Sequence, residues 1–244
     1  ICLMIALLKK ELNTFFSHAS GTIIILSFLL ANSAFLWIIS SDFNIIYSGF
    51  AQMDGLFSLS PFLFIIFIPA LTMRLFSDEY KEGTIERLKT LPISDSKLVL
   101  SKYFSGLIVT LMAIAPTLVY YYSVYQLSDT VGNVDSAGII GSYIGLLLLS
   151  SLFVSIGVFA SSTTKNQITS FLIAIIICSF FYFGFDLIAS EISNGKIELA
   201  INYIGIDYHY NSLSKGVIDS RDIIYFLSLN ALFILLTIHS IRNK

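Results

Sequence analysis

Six stretches of this chain are each apolar enough and long enough to cross a bilayer as a helix, and that pattern restricts the fold before any motif is read. They cover approximately residues 21–40, 56–75, 104–126, 139–160, 168–189 and 223–240. A hydrocarbon layer about 30 Å thick takes about twenty residues at a helical rise of about 1.5 Å. None of the six has a charged residue in its middle, and Asp186 sits near the end of the fifth. The runs lack the alternation of a barrel strand, and a helix satisfies its own backbone in lipid. A mean hydropathy of +0.83 and only 12% charged residues agree. The expected fold is an all-α integral membrane protein, a single domain over residues 1–244 with six transmembrane helices.

Lys and Arg set the orientation, because short loops rich in them stay in the cytoplasm. Lys9, Lys10, Arg74, Lys81, Arg87, Lys89, Lys97, Lys102, Lys165, Arg242 and Lys244 fall on one side, against Lys196, Lys215 and Arg221 on the other. Both termini are therefore expected in the cytoplasm. The outer loops 41–55 and 127–138 contain no Lys or Arg. A net charge of −2 leaves no polybasic footprint, so nucleic acid is not an expected partner. Cys2 and Cys178 read as apolar residues, and no metal-ligand spacing or cofactor motif is present. The first long run reads as a span rather than a cleavable signal peptide, with Met4 as a start.

Ahead of the first span, "MIALLKKELNTFFSHAS" places Leu7, Leu8, Leu12, Phe15 and Phe16 near one helical face. Such a segment suits an amphipathic helix lying in the interface. The last outer loop, residues 190–221, is too polar to span and too apolar for a solvated tether, so short helices are expected there. Pro61 and Pro69 mark kinks in the second span, either hinges or static bends. Ser150, Ser151, Ser155, Ser161 and Ser162, with Gly141, Gly145 and Gly157, favour close helix packing or a polar path. Tyr120, Tyr121, Tyr122 and Tyr125 form an aromatic belt or a dimer seam.

The loop "FSDEYKEGTIERLKTLPIS", residues 76–94, gathers charge that the rest of the chain avoids. The second span can continue as a helix through Glu79 until Gly83 interrupts it, and Thr84 can cap a new helix. In "TIERLKTL", Ile85, Leu88 and Leu91 share a face, while Glu86, Arg87 and Lys89 lie on others. Pro92 stops this helix, and Ser94 can cap the next, which rises through Lys97 and Lys102 into the third span. The loop is either solvated or a docking surface. The breakers framing the stripe favour a docking surface, with Ile85 and Leu88 as an apolar knob for a soluble partner.

These residues resemble the first cytoplasmic loop of permease subunits of the ABC-2 type of ABC transporter. "ALLKKELNTFF" is similar to the amino-terminal segment of that family, and "SKGVIDSRDIIYF" to the start of its sixth span, with Gly216, Asp219 and Asp222 at the matching places. Within the family the likeness is greatest to the gliding-motility-associated permease of gliding Bacteroidetes. The resemblance implies an export permease in the bacterial inner membrane, paired with a second copy or a sister permease and driven by two ATP-binding subunits. It implies a coupling helix at Gly83, Thr84, Ile85, Glu86, Arg87, Leu88 and Lys89, with Glu79 and Glu82 on its approach and Pro92 at its end. No G-x-x-x-x-G-K-S/T phosphate loop occurs, so ATP hydrolysis is assigned to another chain. Two other readings stay open: a membrane platform for an ATPase without transported cargo, and a secondary carrier, which would place ionisable groups near the midplane. An intramembrane enzyme would need catalytic groups at depth, and neither His-Glu-x-x-His nor Gly-x-Ser-x-Gly appears.

Overall fold

The computed structural model describes residues 2–17, 19–90, 93–128, 132–192 and 195–243, and every regular element among them is helical. Helix α1 (Cys2–Ser17) leads into α2 (Ala19–Ser33), which ends in a π-turn, Ala34–Ile38. A single turn, α3 (Ile45–Ser48), precedes α4 (Asp54–Thr72), α5 (Arg74–Lys81) and α6 (Thr84–Thr90). Then come α7 (Asp95–Ile114), α8 (Leu118–Leu127), α9 (Ser136–Thr163), α10 (Gln167–Ser179) and α11 (Phe185–Ser190). Two short helices, α12 (Gly195–Asn202) and α13 (Ile206–Leu213), lead to α14 (Ser220–Arg242).

Six helical stretches are long and apolar enough to cross a membrane: Gly21–Ile38, Asp54–Lys81, Asp95–Leu127, Ser136–Thr163, Gln167–Ser190 and Ser220–Arg242. They correspond one to one with the expected runs. The second and third extend well beyond the expected 75 and 104 at the Lys- and Arg-rich end, because both helices continue past the lipid-matched length into charged sequence. The last loop between spans holds α12 and α13, the short helices expected there.

Helix α9 is the centre of the bundle, packed by α4, α10, α14, α5 and α7. Its small residues permit this: a Cβ on Gly157 would lie 2.0 Å from the Thr72 hydroxyl oxygen of α4. Leu149, Leu152, Phe153, Val154 and Ile156 fill the space between.

Span 2 breaks at Met73, between α4 and α5. Ser161 of α9 holds the break: its hydroxyl accepts from the backbone N–H of Phe76 (2.8 Å) and Ser77 (3.2 Å) and donates to the Met73 carbonyl (3.1 Å). Pro61 acts in the same way higher up. Its ring leaves the Phe57 carbonyl, four residues back, without a helical donor, and the Tyr210 hydroxyl of α13 supplies one at 2.8 Å.

Replacing Ser161 with Ala removes the acceptor from the buried N–H groups of Phe76 and Ser77, while the Met73 carbonyl keeps the Ser77 hydroxyl, at about 1–3 kcal/mol for each group left unsatisfied. Ser161→Ala is therefore expected to lower the unfolding midpoint in detergent clearly, whereas Ser123→Ala, on an exposed turn of α8, should leave it unchanged. Equal midpoints for both variants would remove the break from the load-carrying contacts.

Candidate functional site

The Lys- and Arg-rich end of the bundle is built from α1, α5, α6 and the foot of α7. Continuing span 2 beyond its break carries α5 clear of the apolar region and brings Glu79 against α1 and α7. Gly83 then turns the chain with φ of +69°, a left-handed backbone that a side chain would strain. Helix α6 follows and packs back on α5.

The Thr84 hydroxyl, at the first residue of α6, donates to Glu79 Oε2 at 2.5 Å. Ser94 stands ahead of α7 without a capping hydrogen bond from its side chain. The apolar stripe of α6 faces inward: Ile85 is 8% exposed and joins the core, and Leu88 packs partly against it. The expected apolar knob is thus the contact that seats α6 on its own protein. Glu82, Gly83, Glu86 and Thr90 remain exposed, and Glu79 is buried. Arg87 and Lys89 fall on α6, and Pro92 lies outside the described residues.

Lys102 of α7 is 1% exposed, and an ammonium so placed needs every donor matched. Its three N–H groups reach Glu11 Oε1 (2.8 Å), Glu79 Oε1 (3.2 Å) and the Leu75 carbonyl. Glu79 Oε1 also accepts from Lys10 at 3.0 Å. The Phe76 ring lies 5.0 Å beneath the ammonium, close enough for a cation–π contribution. Partial burial works against the Lys10 ammonium. The hydrogen bond and charge of Glu79, with Glu11 and Glu82 behind them, outweigh it and hold the Lys10 pKa above the ordinary lysine value. One carboxylate therefore ties α1, α5, α6 and α7 together. Asp78 adds α10 by accepting from the Gln167 amide.

Lys10, Glu11 and Lys102 were expected only as surface or topology charges. For Lys102 a signal exists in the sequence: Leu98, Val99, Ser105, Gly106 and Val109 stand at helical spacing around it and are all buried, so it lies on the inward face. For Lys10 and Glu11 no local signal exists, since their partners lie 69 and 91 residues away.

At the opposite end, the three residues matched at the start of the sixth span have separate tasks. Gly216, with φ of +79°, lies so close to α9 that a Cβ would meet the Gly138 Cα at 2.5 Å. Asp219 caps α14 by accepting from the Arg221 N–H at 2.9 Å. Asp222 is buried and accepts from Ser212 at 2.5 Å through Oδ2, while its Oδ1 lies 2.7 Å from His209 Nδ1. The other ring nitrogen of His209 lies 3.0 Å from the Tyr203 carbonyl. The Tyr225 ring stacks on the His209 ring at 3.9 Å. His209 is 3% exposed and fastens α13 to α14. His18 lies outside the described residues.

Removing one partner of a buried ion pair strands the other, at about 3–5 kcal/mol. Lys102→Met should therefore lower stability in detergent far more than Lys97→Met, and pairing it with Glu79→Gln should recover part of the loss. A double variant as unstable as the sum of the two singles would show that the two groups are not coupled.

With that geometry in place, the family model described as ABC-2 family transporter protein matches residues 5–241. No curated protein matches the chain.

Proposed function

The chain belongs to the ABC-2 family of transporter proteins, and from that premise we propose that it is the permease subunit of an ATP-driven exporter, docked to its ATP-binding subunit through α6. The family consists of multi-pass membrane transporter domains that work with a separate ATP-binding subunit and are not themselves catalytic. In this reading the Lys- and Arg-rich end faces the cytoplasm of a bacterial inner membrane, which places both termini there. The permease pairs with a second copy or a sister permease. The combined likeness of the three matched segments to the gliding-motility-associated permease extends the proposal to a part in gliding.

One observation carries the docking role. Helix α6 is seated by Ile85 and Leu88 and latched to α5 by Thr84 and Glu79, yet it presents Glu82, Gly83, Glu86 and Thr90 outward. A short helix fixed on its inner face and polar on its outer face can receive a push and pass it on without yielding. Force applied there reaches span 2 through the Thr84–Glu79 bond and the α5 backbone, a rigid-body route.

The two faces of α6 give opposite results on substitution. Glu86→Arg should reduce copurification of the ATP-binding subunit at least tenfold and leave the unfolding midpoint unchanged. Ile85→Ala should cost about 2–5 kcal/mol of stability, the usual loss for a large buried aliphatic. In proteoliposomes with the ATP-binding subunit, ATP-dependent movement of cargo is the expected result. ATPase stimulation with no cargo moved would favour a platform, and undiminished copurification of the Glu86→Arg variant would overturn docking through α6.

A further inference from the structure

A cavity of about 430 Å³ opens beside the ion knot, between α1, α2, α4 and α5, within the range of small-molecule sites, about 300–1,000 Å³. Lys10 and Glu11 of α1 line one side, and the wall formed by span 2 is graded. Toward the bilayer the lining is apolar, with Ile24 of span 1 and Leu71 of span 2. Away from the bilayer come Arg74, then Asp78, then Glu82. Residues 71, 74, 78 and 82 are spaced at three, four and four along the helix, so they share one face, and each four-residue step advances about 6 Å. In order of depth, this wall reads apolar, cationic, anionic, anionic.

That order is complementary to a phospholipid whose headgroup ends in an ammonium: acyl chain, phosphate, then positive charge. We propose that this cavity holds one phospholipid with a primary ammonium headgroup, of the phosphatidylethanolamine type. The chain lies along Ile24 and Leu71, the phosphate against Arg74, and the ammonium between Asp78 and Glu82. A guanidinium is planar and offers five donors in a fork that suits phosphate. A primary ammonium offers three donors to carboxylates. Charge selects the headgroup further. Lys10 and Lys102 are matched by Glu79 and Glu11, so Arg74 stands against the two carboxylates of Asp78 and Glu82, and the site has one negative charge in excess. A headgroup with net negative charge and no cation, such as phosphatidylglycerol, would face that excess uncompensated. Asp78 accepts from the Gln167 amide, a neutral donor that brings no cation to the site, and Glu82 is exposed on the cavity rim.

The site deepens the docking proposal without depending on it. Glu79 and Thr84 also line the cavity, so the occupant lies against the latch of α6. Only its assignment to the cytoplasmic leaflet rests on the proposed orientation.

Native mass spectrometry of the full-length chain, released from detergent with equal amounts of dioleoyl phosphatidylethanolamine, phosphatidylcholine and phosphatidylglycerol, tests this. The expected result is one phosphatidylethanolamine per chain, retained at least tenfold over phosphatidylglycerol. Phosphatidylcholine, whose quaternary ammonium donates no N–H bond, should be retained less. Asp78→Asn with Glu82→Gln should bring the preference down toward parity, and Glu82→Gln alone, an exposed change that leaves folding undisturbed, should lower it several-fold. Arg74→Gln should weaken all three lipids. Free phosphoethanolamine should not displace the lipid, and displacement by it would overturn a lipid occupant. Equal retention of phosphatidylethanolamine and phosphatidylglycerol, or a preference unmoved by Glu82→Gln, would overturn the site. Because the readout contains no ATP-binding subunit, its failure leaves docking through α6 standing, and failed copurification leaves the lipid site standing.

Discussion

A backbone carbonyl or N–H released inside a bilayer finds no water, and span 2 can be irregular only because other helices replace what it loses. Two of its irregularities are repaired by side chains of other helices. At Pro61 the freed Phe57 carbonyl takes the Tyr210 hydroxyl of α13, and at Met73 the broken ladder takes the Ser161 hydroxyl of α9. Each repair comes from a different neighbour, so the position of span 2 is fixed from both ends of the bundle. That is why α9 must lie close, and why it carries glycine at 157, where any side chain would collide with Thr72.

Charge is used differently at the two ends. At the Lys- and Arg-rich end, Glu79 gathers Lys10, Lys102 and Thr84 onto one carboxylate, and four helices meet there. At the other end, Asp222 gathers His209 and Ser212 and joins only α13 to α14. Both carboxylates are buried and hydrogen-bonded on both oxygens. Buried pairs of this kind add little net stability over an apolar contact, because desolvation offsets the attraction, but they tolerate no exchange of partner. Their effect is to fix which helices meet and in what register.

Much of this was legible in the sequence, and the part that was not has a common cause. The six spans follow from apolar runs and length, and the continuation of span 2 through Glu79 to Gly83 follows from local helical spacing. Periodicity finds the apolar face of α6 but not its direction: a stripe of Ile85 and Leu88 looks the same whether it meets a partner or the protein's own core. The rule that places Lys and Arg at the cytoplasmic side hides the burial of Lys102, because it treats charges as topology markers. Glu11, Lys10 and His209 depend on partners distant in sequence or in a neighbouring element, and local pattern carries no information about those.

The sequence left Pro61 and Pro69 open as hinges or static bends, and the strengths of the contacts decide where bending is cheapest. Below Met73, α5 is bound to α1, α6 and α7 by charge-assisted hydrogen bonds, each about twice as strong as a neutral one. At Pro61 the repair is a buried tyrosine whose whole ring is packed in the core, so bending there would also cost apolar contacts. At Met73 the repair is two small hydroxyls, Ser161 and Ser77, making neutral bonds, each with a net value of about 0.5–1.5 kcal/mol. On the proposed docking through α6, a push there would reach α1, α5 and the foot of α7 through these bonds, and Met73 is where span 2 is held by neutral bonds alone. Pro61 is held by the Tyr210 hydroxyl, and the Pro69 carbonyl accepts from the Met73 N–H at 2.9 Å, so both prolines have contacts that favour static bends.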